Sequence, residues 1–173
     1  MRLTDIFETV RPSILYHGTS SDNACKIIYN NVLLANTEHI ATYDRSDFRP
    51  KEINKYGKVK GISLSRNPFF AKRWTSGQGV VLAFDAYKLH QRYRFIPIAY
   101  AGKRTEAEEF MIGELKPVDQ YLTAVIVSRA TFNELEDENE NFIEGHEPYT
   151  EITKHPLLRI EGDAWDAMTG KNV

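Results

Sequence analysis

The stretch Leu15-Tyr16-His17-Gly18-Thr19-Ser20 decides how the rest of this sequence is organised. Apolar residues lead into a histidine, a glycine and two hydroxyls, and a segment with helical spacing follows directly. We predict a strand over residues 14–17, a tight turn, and a helix over residues 22–31 capped by Ser20 or Ser21. Gly18 has no side chain to keep a ligand off the backbone, and hydroxyls at a helix N-terminus favour anions. The junction is therefore a candidate ligand site.

Several short strands are predicted further along the chain. Apolar patterns predict strands over residues 61–65, 80–84, 94–98, 110–115 and 121–127, and the second and third of these have the apolar character of central strands. Helical segments are expected at residues 69–74, after Asn67-Pro68, and as one turn at residues 86–91. Residues 150–160 are expected to form a short helix or strand. Strands that outnumber helices are typical of an α+β fold with a mixed or antiparallel sheet core.

The composition indicates one ordinary globular domain. The chain has 173 residues, of which 42% are hydrophobic and 27% charged, and a chain of about 150 residues buries roughly 70% of its unfolded surface. We expect a single domain over residues 1–173 with its core in residues 14–127. Residues 130–173 are expected to form an acidic loop, solvated over 135–144, and a C-terminal extension in which Trp165 is docked.

Charge and cysteine content exclude several other classes of protein. The net charge of −2 supplies no global field that would recruit nucleic acid or an anionic membrane. Cys25 is the only cysteine, so no internal disulfide can form. The N-terminal residues carry charges, and no stretch approaches the roughly 18 apolar residues of a membrane span. The sequence therefore predicts a soluble, cytoplasmic protein with no membrane partner.

Three clusters carry side chains suited to binding or catalysis. They are the histidine junction, the strand Gly61-Ile62-Ser63-Leu64-Ser65 followed by Phe69-Phe70, and the run Glu106-Ala107-Glu108-Glu109 before an apolar strand. Each taken alone has an ordinary interpretation: a strand-end histidine, an amphipathic strand with core aromatics, and a solvated charged turn. Their order along the chain is more specific than any one of them.

That order resembles the layout of the ADP-ribosyltransferase superfamily. Tyr16-His17-Gly18-Thr19 is similar to the first motif of its diphtheria-toxin and poly(ADP-ribose) polymerase branch. The second motif departs from that branch, because Ser63 stands where a tyrosine is expected, and it is similar to the serine-bearing strand of the arginine-serine-glutamate branch. The resemblance covers residues 14–127 and implies a split, twisted, mixed or antiparallel β-sheet with flanking helices.

The resemblance also implies NAD as the ADP-ribose donor, bound in the cleft of the split sheet, with no metal ion. By carry-over, His17 bonds a ribose hydroxyl, and the main chain of Gly18 grips the nicotinamide carboxamide, since an adjacent N–H and C=O match the two ends of an amide. Phe69 or Phe70 stacks on the nicotinamide ring. The hydroxyl side chains that support the NAD site are Thr19, Ser63 and Ser65.

A glutamate has the chemical role in this resemblance. Cleavage of the nicotinamide glycosidic bond develops oxocarbenium character on the ribose, which a nearby carboxylate stabilises in the transition state. Family members place this glutamate at the start of a strand before apolar residues, which fits Glu109 best. Strand alternation puts Glu109 on the face of Met111, and Glu108 on the face of Phe110, a more core-like residue.

The choice of glutamate bears on the acceptor. Members that modify arginine usually carry a second glutamate two residues before the catalytic one. Ala107 occupies that position for Glu109, whereas Glu106 occupies it for Glu108. Arginine modification stays open only if Glu108 is catalytic, so Glu109, Glu108 and Glu106 all remain candidates.

The resemblance predicts a mono-ADP-ribosyltransferase whose acceptor is a macromolecule, either protein or nucleic acid. The basic and aromatic segment 43–60 covers the NAD phosphates, contacts a nucleic acid acceptor, or is a solvated loop. Two alternatives stay open. One is a relative of the same fold that binds a nucleotide or a protein without catalysis, which the tyrosine replacement at Ser63 favours. The other is an RNA 2′-phosphotransferase, which shares the His-Gly-Thr start.

Overall fold

A single sheet organises the part of the chain that the computed structural model describes, which comprises residues 13–35, 60–73, 75, 79–99, 107–140 and 149–161. Its seven strands lie in the order β4-β5-β2-β1-β3-β6-β7. The strands are β1 (Ile14–Ser20), β2 (Gly61–Ser65), β3 (Gly79–Asp85), β4 (Phe95–Ala99), β5 (Ala107–Ile112), β6 (Leu122–Ser128) and β7 (Leu158–Glu161). The first six pair antiparallel with their neighbours, and β7 runs parallel to β6. The predicted α+β class with a mixed sheet is confirmed.

The sheet is split between β1 and β2. These strands register only through Tyr16 and Ser65, whereas β1 pairs with β3 along all seven of its residues, from Ile14 to Ser20. Beyond Tyr16 the two strands continue without pairing to each other. The split predicted from the family resemblance is therefore present at the strand that carries His17.

Five helices flank the sheet in the described part of the chain. They are α1 (Ser21–Asn30), α2 (Pro68–Arg73), α3 (Ala86–Arg92), α4 (Arg129–Glu140) and α5 (Thr150–Thr153). The N-cap of α1 is Ser20, whose hydroxyl accepts a hydrogen bond from the Asn23 amide at 3.3 Å, as one of the two predicted serines should. The helix ends at Asn31, which adopts the left-handed conformation with φ 54°.

Two hydrophobic clusters lie on opposite faces of the sheet, as the alternation along β3 shows. Val80, Leu82 and Phe84 belong to the larger cluster, and Val81 and Ala83 belong to the smaller one. The larger cluster packs against the apolar sides of α1, α3, α4 and α5. The smaller cluster packs against α2. Burial of apolar surface on both faces makes β3 the central strand that its sequence predicted.

The structure corrects the prediction for β4. Its apolar run suggested a central strand, but β4 lies at one edge of the sheet and pairs only with β5 among the described strands. Pro97 gives the physical reason: proline has no amide hydrogen for a second ladder, so it is confined to edge strands. Hydrophobic content alone did not distinguish an edge strand, which pairs with one neighbour, from a central strand, which pairs with two.

The predicted acidic loop is wrong for residues 135–140, which belong to α4. The Ser128 hydroxyl accepts a hydrogen bond from the Thr131 amide at 3.0 Å and so caps this helix. Leu135 is buried while its acidic neighbours face solvent, so the charged residues form the outer side of a helix. Residues 141–148 of the predicted loop lie outside the described residues.

The segment after residue 127 also takes part in the core, which was predicted to end there. Ile152 of α5 is fully buried in the larger cluster, and β7 extends the sheet. Residues 150–160 thus hold both a helical turn and a strand, where one or the other was expected. Trp165, predicted to dock, lies outside the described residues. No described helix is long and apolar enough to cross a membrane.

Candidate functional site

A cavity of about 630 Å³ opens where β1 and β2 separate. Its size is within the range of about 300–1,000 Å³ for small-molecule sites. The lining residues come from the end of β1, from α1 and the chain that follows it, and from the start of β2. They are His17, Gly18, Thr19, Ser20, Asn23, Lys26, Ile27, Asn30, Val32, Leu33, Leu34, Ala35, Gly61, Ile62 and Ser63.

His17 spans the split in the sheet. Its Nδ1 lies 3.1 Å from the main-chain oxygen of Ser63 on β2. Since a carbonyl oxygen only accepts hydrogen bonds, Nδ1 must carry the proton, and Nε2 of the neutral ring is an acceptor. This contact holds the imidazole in the lining of the cavity, and its predicted contact with a ribose hydroxyl stays a prediction.

Gly18 is required by the packing of α2. A Cβ atom built on Gly18 would lie 1.7 Å from the main-chain oxygen of Ala71, a distance that no side chain tolerates. The sequence suggested that this glycine admits a ligand to the backbone. The structure adds a second reason for a glycine at position 18, because α2 approaches β1 closely at this residue.

Three polar residues of α1 were missed by the sequence analysis. Asn23, Lys26 and Asn30 all line the cavity, and their spacing of three and four residues places them on one side of the helix. The signal was present in the predicted helix, but only its apolar residues had been used to define it. Lys26 supplies a positive charge to the cavity that suits an anionic ligand.

The hydroxyls of β2 have different partners. Ser63 lines the cavity, whereas the Ser65 hydroxyl accepts a hydrogen bond from the Asn67 amide at 3.0 Å. Asn67 in turn accepts from the Phe69 amide at 2.9 Å through its side-chain oxygen. Ser65 therefore shapes the turn that starts α2.

Phe69 packs against the smaller hydrophobic cluster together with Ile14 and Tyr16. The described residues that line the cavity do not include Phe69 or Phe70. The stacking role assigned to these two aromatics stays a prediction.

The strand register places Glu109 on the same face of the sheet as His17. Tyr16 pairs with Ser65, and Leu64 pairs with Glu109. Successive residues of a strand alternate between faces. His17 follows Tyr16 and Leu64 precedes Ser65, so both lie on the face opposite to that of the Tyr16–Ser65 pair. Glu109 pairs with Leu64 and therefore lies on the same face as His17. His17 and Glu109 thus stand on either side of Leu64 in one cross-strand row.

The Glu109 carboxylate is buried between two basic side chains. Only 3% of its side chain is exposed. Its Oε1 accepts a hydrogen bond from Nε of Arg66 at 2.7 Å and a second from Nη2 of the same guanidinium. Its Oε2 lies 2.8 Å from Nε2 of His90. Oε1 is thus held by two donors of one guanidinium, while Oε2 is in close contact with an imidazole nitrogen without forming a hydrogen bond of good geometry.

Sequence reasoning also missed Arg66 and His90. Arg66 follows β2 directly, and His90 lies in the last turn of α3, with its ring centroid 4.1 Å from that of Phe95. Neither residue belongs to a local pattern that points to Glu109, since their separations from it are 43 and 19 residues along the chain. Only the pairing of β2 with β5 and the packing of α3 bring the three together.

The other two predicted carboxylates are less completely described. Glu108 occupies the β5 position opposite Ser65, and its side chain lies outside the described part of the structure, as does all of Glu106. The predicted basic segment is also outside it, except for Lys60. Within the described ranges, no group of three His, Cys, Asp or Glu side chains is placed to hold a metal ion.

Comparisons with known proteins identify the arrangement of strands and helices. No protein-family model matches the sequence, and no curated protein matches it. Among solved structures, DarT from Thermus sp. 2.9 in complex with NAD+ superposes with a TM-score of 0.51 at 15% identity, over 90% of this chain and 98% of DarT. This chain shares the fold of DarT.

Two further DarT complexes agree. DarT with ADP-ribosylated ssDNA gives a TM-score of 0.50 at 14% identity, over 89% of this chain and 96% of DarT. DarT with carba-NAD+ gives a TM-score of 0.50 at 14% identity, over 91% and 99% of the two chains. Residues 14–127 are only about two thirds of this chain, so the fold shared with DarT extends beyond the predicted core.

Proposed function

We propose that this protein is a NAD-dependent ADP-ribosyltransferase, which transfers ADP-ribose from NAD to a nucleic acid acceptor and releases nicotinamide. One observation carries the proposal: His17 lines a cavity at the split in the sheet and shares a face of that sheet with Glu109, in a fold shared with a protein solved in complex with NAD+. An imidazole and a carboxylate on one face of the sheet suit a ribose, which needs both hydroxyl recognition and charge stabilisation.

The cavity offers recognition groups for the parts of NAD. In the proposed complex, Nε2 of His17 accepts a hydrogen bond from a ribose hydroxyl, and Lys26 lies near the phosphates. Among the described residues, β1 registers with β2 only through Tyr16. The main chain of Gly18 binds the nicotinamide carboxamide, with Thr19 and Ser63 contributing hydroxyls.

Glu109 is the proposed catalytic carboxylate. The bond between the ribose C1′ and the nicotinamide nitrogen breaks, its electron pair leaves with nicotinamide, and the carboxylate stabilises the positive charge left on the ribose. An acceptor nucleophile then attacks C1′.

The strand register favours Glu109 over Glu108. Both His17 and the catalytic glutamate must reach the same ribose, so they must lie on one face of the sheet. Glu109 shares the face of His17, whereas Glu108 lies opposite Ser65 in the row of Tyr16. Glu108 and Glu106 remain testable alternatives, each through its own Gln variant.

Nucleic acid is the proposed acceptor class because a protein of the same fold was solved in complex with ADP-ribosylated ssDNA. The net charge of −2 gives this chain no global attraction for a polyanion. Binding of the acceptor therefore depends on local positive groups, such as Lys26 in the cavity lining and Arg66 beside Glu109.

A labelling experiment tests the activity and the acceptor together. Purified protein is incubated with NAD labelled in its adenylate phosphate and with single-stranded DNA, single-stranded RNA or a protein extract. We expect label in a nuclease-sensitive product and release of nicotinamide, both abolished in Glu109→Gln. Label that only protease removes would overturn the acceptor class. Absence of NAD binding and of nicotinamide release would overturn the enzyme and favour the non-catalytic binding protein.

A further inference from the structure

The two partners of the Glu109 carboxylate differ in how firmly the fold holds them. The side chain of Arg66 is 36% exposed, and that of His90 is 19% exposed. The His90 ring also packs against Phe95, at a centroid distance of 4.1 Å and an interplanar angle of 35°. Phe95 is itself fixed by pairing with Met111, two residues beyond Glu109 on β5. Arg66 is thus the more exposed of the two partners, and His90 the more enclosed one.

His90 and Glu109 form a buried polar contact. Nε2 of His90 and Oε2 of Glu109 are both buried and 2.8 Å apart, and neither atom forms a hydrogen bond of good geometry with a described residue. Since two lone pairs at that distance would repel each other, we assign the Nε2-protonated tautomer to His90. Without His90, Oε2 would lose its contact with this imidazole nitrogen, and a buried carboxylate oxygen without a polar contact is costly.

We propose that His90 is a positioning residue for the catalytic carboxylate. It fixes Oε2, so that Oε1 is presented to the ribose in a single orientation once Arg66 gives way to the substrate. This role rests on the proposed function of Glu109 and deepens it. His90 does not touch the substrate, and its effect reaches the reaction only through Glu109.

Two substitutions separate positioning from simple packing. In His90→Gln the amide nitrogen stands about as far from the backbone as Nε2 does, so it still reaches Oε2. In His90→Asn the side chain is one methylene shorter, so its amide does not reach Oε2. Both variants replace the aromatic ring with a polar amide, and they lose the contact with Phe95 equally. Lys88→Gln, at an exposed position of the same helix, is the matched control.

The measurement is the rate of nicotinamide release against NAD concentration, together with the melting temperature of each variant. A carboxylate displaced by about 1 Å can lose on the order of 100-fold in rate, so we expect kcat of His90→Asn to fall by about that factor. We expect kcat of His90→Gln to stay within about tenfold of wild type and KM for NAD to change little in either variant. Lys88→Gln should behave as wild type. Equal kcat in the Gln and Asn variants, or a loss confined to KM, would overturn the proposal.

A second readout does not depend on activity. Nitrogen-15 NMR of the histidine side chains should show His90 protonated at Nε2, with that signal shifted in Glu109→Gln. A His90 ring protonated only at Nδ1 would overturn the proposal even if the kinetics agreed.

Different results would contradict the role of His90 and the proposed function of the protein. A wild-type protein that binds NAD and releases nicotinamide, with His90→Asn as active as His90→Gln, would sink the role of His90 alone. A wild-type protein that does neither would sink the proposed function and the positioning role with it.

Discussion

Nδ1 of His17 donates a hydrogen bond to the main-chain oxygen of Ser63 across the opening between β1 and β2, at 3.1 Å. The two strands pair only through Tyr16 and Ser65, so this side chain continues the link where the main chains have separated. The same contact fixes the tautomer of the ring. His17 therefore links the two strands beyond their last main-chain pair, and its tautomer leaves Nε2 as the acceptor nitrogen of the ring.

Replacing His17 tests whether these two roles separate. Asparagine retains a donor near the position of Nδ1 but has nothing at Nε2. We expect His17→Asn to keep the melting temperature of wild type and to bind NAD about fivefold more weakly, because one hydrogen bond worth about 1 kcal/mol is lost. Titration calorimetry measures the affinity. His17→Ala should lose both the affinity and some stability, and unchanged NAD affinity in the Asn variant would contradict the assigned role.

The Gly18 position should not tolerate even alanine. The added methyl group would collide with the Ala71 main-chain oxygen, so we expect the free energy of unfolding to fall by about 1–3 kcal/mol or more. Urea denaturation measures this. Gly113→Ala is the matched control: its Cβ meets nothing within 4 Å, and its φ of +88° costs only backbone strain, about 1–2 kcal/mol. A smaller loss in Gly18→Ala than in the control would show that α2 does not press on β1.

Glutamine variants distinguish the neighbouring glutamates. We expect Glu109→Gln to lower kcat for nicotinamide release by at least about 100-fold, since it removes the charge that stabilises the transition state. Glu108→Gln, the matched control one residue away, should retain most of the rate. The melting temperature of both variants is measured first, because Glu109 is buried against Arg66. Loss of activity in the Glu108 variant with retention in the Glu109 variant would reverse the assignment.

Lys26 should contribute to NAD affinity through its charge. It lines the cavity on α1, so Lys26→Gln should weaken NAD binding severalfold at low ionic strength. The difference from wild type should shrink as salt is added, because salt screens exposed charges. Lys154→Gln, at an exposed position directly after α5 and outside the cavity lining, is the charge-matched control. A salt-independent difference would indicate that Lys26 acts other than through its charge.

His155 should make the stability of the C-terminal strand depend on pH. Burial lowers the pKa of His155, and Glu151 opposes this only in part. The Leu157 amide donates to Nδ1 of this ring at 3.2 Å, a bond that requires the neutral form. The unfolded chain binds the proton more readily, so this contribution is complete above pH of about 6.5 and is lost as the pH falls through the folded-state pKa.

Thermal melts from pH 8 to pH 5 measure this effect. We expect the melting temperature of wild type to fall more steeply below pH 6.5 than that of His155→Gln, which cannot titrate. Parallel curves for the two proteins would show that His155 does not couple protonation to folding.

The sequence by itself determined the local elements near the site. Apolar alternation, a serine cap and the order of three motifs were enough to predict β1, α1, β2 and α2, because each depends on neighbours within a few residues. The same local signals favoured Glu109, because of the apolar residues that follow it, but they left Glu108 and Glu106 as candidates.

Only the tertiary structure decided which residues surround that glutamate. Arg66 and His90 reach Glu109 through the β2–β5 ladder and the packing of α3, and contacts between distant segments leave no periodic trace in the sequence. The edge position of β4 and the inclusion of β7 in the sheet likewise depend on which strand lies beside which. Local sequence patterns determine whether a segment forms a helix or a strand, whereas the pairing of distant strands determines which residues lie beside it.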